Sequence, residues 1–216
     1  MNTNKYTAII DYGAGNILSV SRAVEKCGAN YVITSNQNEI DRAERIILPG
    51  VGAFGTAMSK LEQLHLVGTL VNFAKAGKPL LGICLGMQML LSESEEFGLH
   101  RGLGLIPGKV VSIPKTSTDG NLLKIPQIGW NEIYLSNNFS KSDNLILQDH
   151  NLVDALYFVH SYMANTQNPS EEIAFCNYGG HKISAIIGSG NIIGCQFHPE
   201  KSGKAGLKIL HRFLTL

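Results

Sequence analysis

The chain has 216 residues, 44% of them hydrophobic and 16% charged, with a formal net charge of +1. That balance excludes a disordered chain, and the scattered Lys and Arg leave no electrostatic footprint for nucleic acid or an anionic membrane. No run approaches the roughly 18 apolar residues of a membrane span, and the polar start from Met1 to Tyr6 does not read as a secretion signal. The four cysteines, Cys27, Cys84, Cys176 and Cys195, lack CxxC spacing. That pattern suits a reducing cytoplasm and gives no reason to expect structural zinc or any other cofactor.

The first half alternates strand and helix. Ala8-Ile9-Ile10 is an apolar run that ends in a Gly-rich turn at Gly13. Ile17, Val20, Val24 and Cys27 then recur at helical spacing, and Gly28 closes that helix. Tyr31 to Thr34 is β-rich, Asn36 is placed to cap a short helix, and Arg45 to Leu48 is another strand stopped by Pro49-Gly50. Thr56 to Ala76 reads as helix with a break near His65. Pro79 to Ile83 reads as a buried strand, followed by a helix carrying Met87, Leu90 and Leu91. Alternation of this kind predicts a mostly parallel sheet with helices on both faces.

The second half reads as successive strands: Lys109–Ile113, Trp130–Leu135, Leu156–Tyr162, Glu172–Cys176, Lys182–Ile187 and Ile192–Gln196. These are expected to be antiparallel additions to the sheet edge. Lys115 to Asn121 is a polar, exposed loop, and Ser202 to Leu214 is the final helix. Nothing marks a boundary within 1–216, so a single α/β domain is expected.

Gly82-Ile83-Cys84-Leu85-Gly86 falls between an apolar strand and a helix. It is a nucleophile elbow with sulfur in place of the serine oxygen. The sharp turn holds the nucleophile in strained backbone geometry, and flanking glycines carry no Cβ to collide there. The positive end of the following helix favours a thiolate. Cys84 is therefore the candidate nucleophile. At the end of the last strand, Cys195-Gln196-Phe197-His198-Pro199-Glu200 supplies a base and an orienting carboxylate. In an extended segment His198 and Glu200 share one side. His160 is the rival base, but no carboxylate lies near it in sequence. His65, His100, His150, His181 and His211 read as surface histidines. Leu48-Pro49-Gly50-Val51-Gly52 follows the third strand, and its Val51 N–H pairs with that of Leu85 as a candidate oxyanion hole. Each such donor is typically worth about 3 kcal/mol to a transition state. Asp11-Tyr12-Gly13-Ala14-Gly15-Asn16 is not a dinucleotide turn, because Leu18 stands where the third glycine belongs.

Together these motifs resemble the triad (class I) glutamine amidotransferases, with their flavodoxin-like fold. Asp11 to Asn16, Gly129-Trp130-Asn131, Tyr157 to Tyr162 and Lys201-Ser202 are similar to segments of the glutaminase subunits of imidazole glycerol phosphate synthase in histidine biosynthesis. The resemblance implies hydrolysis of L-glutamine through a Cys84 thioester. It implies that Gly50, Gly52, Gln88, His160, Ser161 and Tyr162 hold the substrate. It also implies passage of ammonia to a (β/α)8 cyclase subunit that makes imidazole glycerol phosphate and an aminoimidazole carboxamide ribotide. Asn16, Trp130, Tyr157 and Lys201 then face that partner and the ammonia gate, with the Gly50-Val51 peptide swinging into donor position on activation. The chain departs from the pattern at Gln127-Ile128, where His-Met is expected, and in a longer Lys115–Lys124 region. Two alternatives stand beside this one. The first is a paralogous glutaminase feeding amidation of a surface-polysaccharide sugar, and the second is a catalytically silent partner-binding module. A stand-alone cysteine peptidase fits Gln88 and His160-Ser161-Tyr162 less well.

Overall fold

The computed structural model describes residues 5–137, 146–147 and 154–216. In chain order the first half runs β1 (Thr7–Ile10), α1 (Ile17–Lys26), β2 (Tyr31–Thr34), α2 (Gln37–Arg42), β3 (Arg45–Gly50), α3 (Phe54–Gln63), α4 (Leu66–Lys75), β4 (Leu80–Cys84) and α5 (Leu85–Met89). The second half runs β5 (Leu91–Ser94), β6 (His100–Arg101), β7 (Ile106–Ser112), β8 (Gln127–Asn131), β9 (Tyr134–Leu135), β10 (Leu156–His160), β11 (Tyr162–Thr166), β12 (Glu172–Tyr178), β13 (His181–Ser189), β14 (Ile192–Cys195) and α6 (Gly203–Leu214).

Among the described residues the central sheet has eight strands in the order β2-β1-β3-β4-β14-β13-β12-β9. The pairs β1–β2, β1–β3, β3–β4 and β4–β14 are parallel, and β13, β12 and β9 add an antiparallel edge. Side chains alternate across it, as extended chain requires. Ile9, Ile47, Leu81 and Ile83 pack on one face with Val20 and Val24 of α1 and Ile209 and Phe213 of α6. Ala8, Ile10, Ile46, Leu48 and Leu80 pack on the other with Ile40 of α2, Leu61 of α3 and Leu70 and Phe73 of α4. Both faces are covered, which is why these strands read as unbroken apolar runs.

Asn36 caps α2 as expected, its side chain accepting from the N–H groups of Asn38 and Glu39. The helix break at His65 is a left-handed residue, φ 56°. Four elements differ from the sequence reading. The helix after Cys84 is five residues long, and Leu91 begins a strand instead. The expected strand 130–135 is two short strands that join different sheets, β8 with β10 and β9 with β12. The expected strand 156–162 breaks at Ser161, where the chain leaves β8 and goes on as β11 against β7. The tripeptide Pro199–Lys201 is a 3-10 turn rather than extended chain. His150 lies outside the described residues.

Candidate active site

The site stands at the carboxyl ends of the parallel strands, where open α/β sheets present ligands. Cys84 is the last residue of β4 and takes φ 55°, ψ −110°, a backbone state that side chains seldom adopt. Local crowding explains its glycines. A Cβ on Gly86 would lie 1.8 Å from the Leu48 carbonyl oxygen, and one on Gly82 would lie 2.6 Å from the Gly86 backbone. The elbow therefore nests against β3 at a distance only glycine allows.

β14 lies beside β4 in register, with Cys195 opposite Ile83. The residues that follow β14 are delivered next to Cys84 in space. His198 is 3% exposed; its N–H donates to the Tyr157 carbonyl at 2.9 Å. Ser202 fixes the same turn: its hydroxyl donates to the His198 carbonyl at 2.7 Å and accepts the Tyr157 N–H at 2.9 Å. His198 Nδ1 meets Glu200 Oε1 at 2.8 Å, with both side chains buried. The sequence placed these two residues on one side of an extended segment; the 3-10 turn brings them together instead.

Burial alone would push the His198 imidazole down. The Cys84 sulfur and the Glu200 carboxylate outweigh it and hold the ring at about 9. The Cys84 thiol is turned toward the Val159 carbonyl, 3.9 Å away, and His198 Nε2 has no hydrogen-bond partner among the described residues. The two groups line one cavity of about 370 Å³, and the sulfur is near enough to raise the proton affinity of the ring.

That cavity brings together most of the residues singled out in sequence: Val51, Gly52, Cys84, Leu85, Gln88, His160, Ser161, Tyr162 and His198 all line it. Gly50 stands just behind, opposite Cys84 in the β3–β4 register. His160 differs from His198. Desolvation holds it down at about 4; its Nδ1 lies 2.8 Å from the Tyr162 carbonyl, and no carboxylate among the described residues pairs with it. It is neutral at pH 7 and lacks the orienting partner of a general base. Gln88 has both amide hydrogens engaged, one by the Tyr162 carbonyl and one by Gln196 Oε1, each at 3.0 Å. Only its oxygen is left to face a ligand.

Two residues of the site carried no role in the sequence reading. Gln196, fully buried, donates to the Cys84 sulfur at 3.6 Å. Glu96 lines the cavity and accepts the Phe54 N–H at 2.5 Å, at the start of α3. The first stood in view inside a motif; the second is one of several glutamates in a polar run, and only folding sets it apart. Tyr12 is also tied in, its buried hydroxyl donating to the Pro49 carbonyl at 2.9 Å beside Gly50.

Beside the His198 turn, Trp130 and Tyr157 meet edge to face at 5.7 Å, with Lys201 Nζ 6.0 Å from the Tyr157 ring. Asn16 stands at the start of α1, after the carboxyl end of β1. Gln127, where the resemblance leads one to expect His, is buried and donates to Asn131 Oδ1 and Cys176 Sγ.

A thiol at a strained strand–helix elbow, with a carboxylate-held histidine just past the end of the neighbouring strand, is the arrangement of α/β enzymes that open amides or esters through a covalent intermediate. Comparisons with known proteins narrow that class. The family model of class-I glutamine amidotransferases matches residues 8–216. The chain is 50% identical over 209 residues to "Imidazole glycerol phosphate synthase subunit HisH 1" of Legionella pneumophila strain Lens, covering 97% of this chain and 98% of that one. It is 46% identical to the HisH subunit of Methanosarcina acetivorans, covering 98% and 99%. Among solved structures it superposes on PurLQS from Thermotoga maritima with a TM-score of 0.70 at 19% identity, covering 98% of each chain. The chain belongs to the class-I glutamine amidotransferase family, in the branch of the imidazole glycerol phosphate synthase HisH subunits.

Proposed function

We propose that this chain is the glutamine-hydrolysing subunit of an imidazole glycerol phosphate synthase, working through Cys84, His198 and Glu200. One observation carries the chemistry. Cys84 and His198 line the same cavity, and Glu200 holds the far nitrogen of the imidazole at 2.8 Å. HisH relatives up to 50% identical across the chain favour the histidine pathway over amidation of a sugar.

In the working form the His198 imidazolium, whose proton affinity is raised, faces a Cys84 thiolate, as a Cys–His nucleophile requires. Cys84 Sγ attacks the carboxamide carbon of L-glutamine. Val51 and Leu85 N–H groups take the developing oxyanion, the Gly50–Val51 peptide turning to do so. The imidazolium gives its proton to the amide nitrogen, the C–N bond breaks, and ammonia leaves with a thioester on Cys84. His198 then takes a proton from water, which cleaves the thioester to glutamate and restores the thiolate. Glu200 keeps the ring oriented throughout. Glu96 is the carboxylate on the cavity wall and suits the ammonium group of the amino acid substrate. Backbone groups of Gly52 and of Ser161-Tyr162 suit its carboxylate, and His160 and the Gln88 oxygen complete the wall.

Ammonia passes to a (β/α)8 cyclase subunit that docks on Asn16, Trp130, Tyr157 and Lys201. The four cysteines are free, which suits the reducing cytoplasm. The test is complementation. The wild-type gene should restore growth of a histidine auxotroph lacking this subunit, and Cys84→Ala should not, except with added ammonium. Failure of the wild-type gene, with the protein expressed, would overturn the pathway.

A further inference from the structure

Residues 115–124 form an ordered hairpin. Thr116 and Leu122 bridge across it. Leu123 N–H donates to the Lys115 carbonyl at 2.8 Å, and Ser117 N–H to the Asn121 carbonyl at 2.8 Å. The hairpin is also tied to the turn between β12 and β13. Thr118 N–H donates to the Gly179 carbonyl at 2.9 Å, and the Tyr178 hydroxyl to the Lys124 carbonyl at 2.5 Å. His181 Nε2 lies 2.7 Å from the Thr116 carbonyl. The fit is close: a Cβ on Gly179 would meet Leu123 at 2.5 Å, and one on Gly180 would meet Thr118 Oγ1 at 2.0 Å.

The sheet register fixes where this assembly sits. β13 runs antiparallel to β14, and Ala185 stands opposite Gln196. Residues 181–184 therefore continue past the level of Gln196, toward His198. The 179–180 turn, with the hairpin on it, rises at the same end of the sheet as Cys84.

The hairpin turns Leu123 inward and presents Leu122 to solvent at 86% exposure. Six and eight residues on, Ile128 and Trp130 are 55% and 57% exposed along β8. A lone exposed leucine needs no explanation. A leucine held outward by a tied hairpin, on the same end of the molecule as two more exposed apolar side chains next to the site, does. Lys115, Thr116, Asp119 and Lys124 of the same hairpin are exposed as well. The hairpin is ordered before any partner arrives, so docking loses little conformational entropy there.

We infer that hairpin 115–124 is a second docking arm for the cyclase subunit, with Leu122 as its apolar anchor, extending the contact face beyond Ile128 and Trp130. This rests on the partner assigned under the proposed function. The hairpin supplies affinity, not chemistry: among the described residues none of 115–124 lines the cavity, and Pro126 just beyond it does.

The test is calorimetric titration of the whole chain with the purified cyclase subunit from the same source. Leu122→Asp is compared with Leu64→Asp, a control at the end of α3 that leads away from the site, and with Trp130→Ala. Leu122→Asp should raise the dissociation constant tenfold or more, as hot-spot truncations do. It should leave the thermal midpoint and circular dichroism unchanged, and Leu64→Asp should bind as wild type does. Wild-type binding by Leu122→Asp alongside weakened binding by Trp130→Ala overturns the docking arm and leaves the partner standing. Absence of binding by the wild-type chain overturns both.

Discussion

The buried Gln196 carboxamide donates to the sulfur of Cys84 at 3.6 Å while its oxygen accepts from Gln88 at 3.0 Å. A relay therefore runs from the Tyr162 carbonyl through Gln88 and Gln196 to the Cys84 sulfur. A neutral donor aimed at sulfur favours the thiolate rotamer that faces the cavity. Gln196→Leu keeps the volume and removes both bonds, leaving one Gln88 hydrogen unpaired. Glutamine-dependent kcat should fall about tenfold or more, with ammonium-driven synthesis by the complex unchanged. Stability should drop by about 1–3 kcal/mol for the orphaned donor. Unchanged glutamine turnover would remove Gln196 from the site.

The elbow is a matter of clearance. Gly86→Ala places a methyl 1.8 Å from the Leu48 carbonyl oxygen, and backbone cannot retreat as a side-chain tip can. Destabilisation of more than about 3 kcal/mol is expected, read as a shifted urea midpoint. At Cys84 itself the positive φ of 55° disfavours any Cβ. Both inactive variants lose the sulfur, yet Cys84→Gly should melt higher than Cys84→Ala, because glycine alone accepts that geometry without strain. An alanine variant as stable as the glycine one would show that the elbow stores no strain.

The parallel half of the fold was legible because strands covered on both faces must be apolar throughout, and the elbow was legible because its glycines answer a local steric need. The antiparallel half was harder. Leu156 to Tyr162 has one continuous β pattern, and its break at Ser161 comes from a change of partner, from β8 to β7, which no local propensity records. Met89-Leu90-Leu91 fits a helix or a buried strand equally, and only packing decides that α5 stops at Met89. The same division holds in the site. Cys84 and His198 announced themselves by motif, while Gln196 depends on meeting a side chain 108 residues away. Nothing in sequence separates Glu96 from Glu93 or Glu95, and the direction of the chain after β5 alone aims it at the cavity.

The pH dependence follows from His198. Its proton affinity in the folded chain is raised to about 9, above the ordinary value of about 6.5. The stabilisation from its imidazolium is thus complete below about pH 6.5 and is lost as the pH rises through about 9. Wild type should melt above His198→Gln at pH 7, and the gap should close by about pH 10. The same proton is needed by the leaving ammonia, so kcat/KM for glutamine should show an alkaline limb near 9. Glu200→Gln, which removes one of the two groups holding the proton, should move that limb to lower pH. Superimposable limbs in wild type and Glu200→Gln would remove Glu200 from the proton balance of the site.

Glu96 offers a sharper test of how the substrate is held. Its carboxylate lines the cavity beside Gln88 and Tyr162 and is anchored by the Phe54 N–H. An anion fixed there favours a ligand carrying an ammonium group. Glu96→Gln keeps an oxygen for Phe54 but loses the charge, so KM for glutamine should rise about tenfold with kcat much less affected. The discriminating measurement uses glutaramate, which has the same carboxamide and carboxylate but no amino group. Wild type and Glu96→Gln should process it with equal kcat/KM, because the missing ammonium leaves the carboxylate nothing to recognise. A loss of equal size on both substrates would instead mean that Glu96 acts by positioning α3 and the Val51 loop before it.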